Sequence, residues 1–145
     1  MRIIVVLLLV TTTVAPIALD AQAVTVFKGR PAVRIIEDGR GGRPEHLKYQ
    51  EATNLDCVIS KIGDEYFWAS RENRRLVKRE SGAFIMFVEV NGAGYVKVIA
   101  SGMKEAAALA LPNPDAHDYV EHILLGIGSI TYYGKQQVPV VSPRE

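Results

Sequence analysis

The chain has 145 residues, 48% of them hydrophobic and 23% charged, which suits one compact domain and leaves too little chain for two. Seventeen Lys and Arg against sixteen Asp and Glu give a formal charge of +1, so bulk charge supplies no attraction to nucleic acid and none is expected as a partner. Twelve Gly and seven Pro are scattered along the chain, which excludes a low-complexity or disordered one.

Arg2, the apolar run Ile3 to Val10 and the sequence Ala21-Gln22-Ala23 together read as a secretory signal cleaved near Ala23. The stretch Ile3 to Leu19 is short for a membrane span and carries Thr11, Thr12, Thr13 and Pro16, so no span is expected after cleavage. Residues 1–23 are thus assigned to a signal peptide, 24–134 to one domain and 135–145 to a flexible tail, in a secreted or periplasmic protein of bacterial type. Cys57 is the single thiol, free, buried or paired with another molecule, so no internal disulfide supports the fold and a packed core must.

Within the domain, Val24 to Phe27 and Val33 to Ile36 read as two strand pieces joined by a turn at Lys28 to Pro31. Asp38 to Pro44 is a loop, and Pro44 to Thr53 is a short helix with Pro at its first position. From Leu55 to Ala100 five strands follow: Leu55 to Ile62, Glu65 to Ser70, Leu76 to Glu80, Ala83 to Val90 and Tyr95 to Ala100. The turn residues Gly63-Asp64, Glu72-Asn73, Ser81-Gly82 and Asn91 to Gly94 separate them, which predicts an antiparallel meander. Phe84 to Val88 is apolar on both faces, as a strand covered on each side would be. Helices over Lys104 to Leu111 and Asp115 to Leu125 are expected to supply that cover. In the second, Ala116, Tyr119, Val120, Ile123 and Leu124 fall on one helical stripe, and Gly126 ends it. A strand over Ile127 to Tyr133 closes the list of elements. The fold class is α+β: a twisted antiparallel β-meander or partly closed barrel packed by one or two C-terminal helices. In architecture, though in no motif, such a domain resembles small exported inhibitor and ligand-binding barrels.

Few residues suggest chemistry. Cys57 lies between Leu55 and Ile59 on one strand face, where a thiol behaves as a small buried hydrophobe, and no nucleophile signature surrounds it. Asp115, Asp118 and His122 share one face of the expected helix and form a weak metal-ligand set, short of a ligand from another element. The loop Asp38 to Arg43 has Gly and Arg but lacks a phosphate-loop ending. Asp56 and Glu89 interrupt strands and are expected to face outward.

The hairpin Tyr66 to Arg79 carries the most information. Tyr66 and Trp68 accompany Arg71, Arg74, Arg75, Lys78 and Arg79, so a local positive patch lies beside aromatic rings in an otherwise neutral chain. Guanidinium groups grip carboxylate and phosphate in pairs of hydrogen bonds, and the rings supply flat contact area. The reading is a non-enzymatic binding or inhibitor-like module that recognises an anionic glycan, lipid headgroup or acidic protein, with no catalytic residue or cofactor. The alternatives are a small hydrolase or metal-dependent enzyme, and a self-associating structural subunit.

Overall fold

The computed structural model describes residues 22–108 and 117–140. Nine strands and two short helices occur among them: β1 (Val24–Glu37), β2 (Pro44–His46), α1 (Tyr49–Asn54), β3 (Cys57–Ile62), β4 (Glu65–Trp68), β5 (Arg74–Ser81), β6 (Phe84–Glu89), β7 (Gly94–Ile99), α2 (Lys104–Ala108), β8 (Tyr119–Leu125) and β9 (Gly128–Val138). Strands β3 to β9 form an antiparallel meander in chain order, and β1 pairs with both β3 and β9. That double pairing closes β1 and β3 to β9 into an eight-stranded barrel, with β2 attached to the outside edge of β1. Closure removes the unpaired edges that an open sheet leaves exposed.

The expected α+β class is corrected by this architecture. The expected helix over Asp115 to Leu125 is strand β8 from Tyr119 onward, with residues 115 and 116 outside the described residues. Its Tyr119, Val120, Ile123 and Leu124 match a helical stripe, but β8 alternates differently, with Tyr119, Glu121 and Ile123 facing inward. A charged residue on the inner face broke the apolar alternation by which a strand is read. Gly126 is no helix end; it sits at φ 60° in the turn between β8 and β9. The helix expected over Pro44 to Thr53 is β2 followed by one turn of helix, and that over Lys104 to Leu111 is described only as α2, residues 109–111 lying outside. Among the described residues no element of the barrel is packed by a long helix, and no helix there is long and apolar enough to cross a membrane.

Two further differences concern the strands that close the barrel. Lys28 to Pro31 does not turn: β1 runs unbroken for 14 residues, changing partner from β3 to β9 along its length, with irregular register at Lys28/Gly29 and Pro31/Val33. Pro31, which lacks an N–H, is tolerated at such a bulge. β9 runs past Tyr133 to Val138, and Val140 beyond it is buried in the core.

Alternation fills the barrel. Phe27, Ile59, Trp68, Leu76, Ile85, Phe87, Val96, Val98 and Tyr119 point inward and pack as one cluster, each large side chain contributing about 1.5–3 kcal/mol by leaving water. Outside, Asp56 ties β1 to the start of β3 through Lys28 Nζ (3.1 Å) and Arg30 Nε (2.9 Å). These cations hold its carboxyl below the usual range, Arg30 foremost.

Candidate functional site

Strand alternation splits the hairpin singled out in the sequence. Tyr66, Trp68, Leu76 and Lys78 turn to the inner side, whereas Arg75, Val77 and Arg79 turn out. Trp68 is fully buried, and Tyr66 packs its ring against Phe87 at 5.4 Å. Lys78 Nζ meets Glu80 at 2.7 Å, and Arg75 pairs with Glu65. Arg79 has no ion pair among the described residues.

The β4–β5 turn aims two guanidinium groups at one end of the barrel. Arg71 N donates to Trp68 O (2.9 Å) and Arg74 N to Arg71 O (3.2 Å), with Glu72 and Asn73 between them at φ 56° and 54°. Both central residues in the left-handed region make the tight reversal whose twist matches a hairpin. Asn accepts this region readily and Glu less so, at a cost of order 1 kcal/mol. Arg74 Nη1 lies 3.6 Å from Glu89 Oε2, and Arg71 Nη2 lies 2.9 Å from Glu121 Oε1. Glu89 is buried and faces inward, correcting the expectation that it points outward.

Around Glu121 the interior is polar. Its carboxylate is 0% exposed, with Oε1 in an ion pair with Arg71 Nη2 at 2.9 Å. Tyr119 Oη is buried beside it without a hydrogen bond. Burial pushes the Glu121 carboxyl up to about 7 against the pull of Arg71, Cys57 and Trp68. It also raises the Tyr119 phenol and the Cys57 thiol well above their ordinary values. Arg71 lies over the ring of Tyr132 at 5.8 Å. Sequence reading named Trp68 and Arg71 but missed Tyr119, Glu121 and Tyr132, which come from strands far along the chain.

A raised thiol inside a barrel is a poor nucleophile. Iodoacetamide is therefore expected to label Cys57 of the native protein at least about a hundredfold more slowly than in urea, because labelling waits for opening of the barrel. Rapid native labelling at pH 8 would contradict this burial.

Of the expected metal-ligand set, Asp118 and His122 are among the described residues. Asp115 is outside the described residues, Asp118 Oδ1 accepts the Gln136 N–H, and His122 stacks on Tyr95 at 5.3 Å with Nδ1 2.9 Å from Thr131 Oγ1. Among the described residues no group of three or more His, Cys, Asp and Glu is placed to hold a metal ion. In the Gly–Arg loop, Asp38 accepts the Arg40 N–H at 3.1 Å.

On the outer side, β5 to β8 present a continuous face. Cross-strand register aligns Arg79, Met86, Lys97 and Val120 in one row and Val77, Val88, Tyr95 and His122 in the next. Arg75 and Phe84 extend it. Val77 is 47% exposed and Phe84, Met86, Val88 and Tyr95 are half-buried, while Lys97 Nζ sits 4.0 Å from the centre of the Phe84 ring. No outward position of these strands carries a carboxylate, since Glu80, Glu89 and Glu121 fall on the inner side. Among the described residues only α2 and Met103 cover part of it, at Phe84 and Ile99. No family profile, curated protein or solved structure matches the chain.

Proposed function

We propose that the chain is a non-enzymatic recognition protein of the exported space that binds an acidic, partly apolar protein surface on the outer face of β5 to β8. One observation carries the reading: a half-buried apolar row flanked by Arg79 and Lys97, with no outward carboxylate on four adjacent strands. A chain of net charge +1 that gathers cations without acids on one face attracts anions there and repels its own copy, because a two-fold contact would set Arg79 and Lys97 against like charge. The same repulsion disfavours the self-associating reading. A glycan would be gripped by polar groups, whereas this face offers Val77, Met86 and Val88 between its cations, which favours a protein.

The test is affinity purification from the native extract, followed by affinity measurement with the recovered partner. Arg79→Glu and Lys97→Glu are each expected to weaken binding about tenfold, and Met86→Asp to abolish it, while Arg40→Glu in the Asp38 loop leaves it intact. Equal binding by wild type and the Arg79→Glu/Lys97→Glu chain sinks the reading.

A further inference from the structure

We propose that the end of the barrel at which β1 begins and β9 finishes is a binding site for a small amphipathic carboxylate, a molecule with one anionic head and an aliphatic tail. A recess of about 270 Å³ lies there, with Val26, Tyr66, Lys78, Phe87, Val138 and Val140 in its lining. An eight-stranded barrel has an interior just wide enough to be filled by side chains or to hold one small ligand, and barrel mouths are common ligand sites. Further in, Trp68, Leu76 and Val96 are buried and fill this one. Two local features shape the mouth. β4 has four residues and pairs with β5 only at Arg74 to Leu76, so β5 continues past it to Ser81 and the wall is low beside Lys78. The register of β1 on β3 slips between Thr25 and Phe27, and Val26, the residue at the slip, packs against the core. A bulge of this kind re-aims a side chain.

The lining selects the ligand. Val26, Phe87, Val138 and Val140 supply an apolar wall for the tail, and the Lys78 ammonium supplies a charge for the head. Lys78 occupies an inward position of β5 with its side chain only 16% exposed, where long cations are rare unless paired. Its ion-pair partner is Glu80, at 2.7 Å and 51% exposed. A carboxylate so far into water holds a lysine weakly, and an ammonium group has three donors, so a ligand carboxylate joins or replaces Glu80 at little cost. The neighbouring cation is Lys61, whose Nζ is 5.8 Å from the centre of the Tyr66 ring and 3.7 Å from the fully exposed Asp64. Because Asp64 and Glu80 both stand in solvent, salt and water screen their repulsion of an incoming anion. A cationic head would meet both lysines, whereas a carboxylate gains from each. The reading is independent of the outer face, since Arg79 and Lys97 point away from the barrel interior.

Octanoate is the probe and octanol its uncharged match, each titrated into the purified protein while the valine methyl signals are followed by NMR. Saturable shifts with octanoate are expected at Val26, Val138 and Val140, with Val77 and Val88 on the outer face unmoved. Lys78→Met is expected to bind octanoate about tenfold more weakly and to bind octanol as the wild type does. Val138→Trp, at a partly exposed rim position, is expected to fill the recess and abolish the shifts at Val26 and Val140. Arg79→Glu/Lys97→Glu should leave octanoate binding unchanged, which separates this site from the outer face. Absence of a saturable shift in the unaltered protein, shifts confined to the outer face, or undiminished octanoate binding by Lys78→Met would each overturn the proposal. The map of shifts in the unaltered protein decides the site even if a variant fails to fold.

Discussion

Gly134→Ala is expected to lower stability by about 3 kcal/mol, at the upper end of what an added methyl group costs in a packed site. Gly134 pairs with Pro31 across the seam where β9 meets β1 and the barrel closes. A Cβ there would overlap the backbone carbonyl of Arg30 and come within 2.7 Å of the Pro31 Cα. Both obstacles are main chain, so no side chain can swing aside; the two strands must separate. Pro31 also sits beside the register irregularity between Pro31 and Val33, where the ladder has little slack. Gly29→Ala on β1 makes a useful contrast, because its Cβ would meet the rings of Tyr119 and Phe27, which can pivot at a lower cost. Urea unfolding of the three proteins checks the order. A Gly134→Ala chain within about 1 kcal/mol of wild type would mean that β1 and β9 do not approach this closely and that the seam is open there.

Such a seam explains which parts of the fold could be read in advance. The meander from β3 to β7 was legible because each strand alternates and each reversal carries its own turn residues, Gly63-Asp64, Ser81-Gly82 and Asn91-Gly92 among them. Closure was not, since Glu37 pairs with Ser129 and no local pattern specifies a contact between such distant residues. β8 was misread for a different reason. Glu121 occupies an inward position that sequence logic reserves for apolar residues, and a stripe containing Tyr119 and Ile123 then looks helical. The candidate site suffered from reading along the chain: residues adjacent in the Tyr66 to Arg79 hairpin diverge to opposite sides of β5, and their spatial companions lie elsewhere. Lys97 and Met86 join Arg79 through register, and Glu121 meets Arg71 across the barrel. Apolar residues on both faces of β6 did carry information, since the expected cover over its outer side is largely missing among the described residues.

Glu121 should leave a signature in the pH dependence of folding. A carboxyl whose folded value is raised from 4.5 to about 7 binds its proton more tightly in the folded chain than in the unfolded one. Between those two values the folded state holds the extra proton, so stability falls as pH rises. At about 1.4 kcal/mol per unit the fall amounts to about 3 kcal/mol, absent below pH 4.5 and complete above pH 7. Two other shifted groups must be kept apart from it. Asp56, lowered by Arg30 and Lys28, contributes stability that is lost only as pH drops below its ordinary value of 3.8, outside this window. His117, lowered by burial and then by Lys135, adds stability as pH rises to 6.5 and so opposes the Glu121 effect. Comparison with Glu121→Gln cancels both. The difference in unfolding free energy between variant and wild type is expected to move by about 3 kcal/mol in favour of the variant from pH 4.5 to pH 7.5. The attraction of Arg71 for ionised Glu121 is already contained in the raised value, so it adds nothing separate to the pH-dependent difference. Parallel curves would show that Glu121 ionises in the barrel as freely as in water, and the desolvated cluster around it would have to be abandoned.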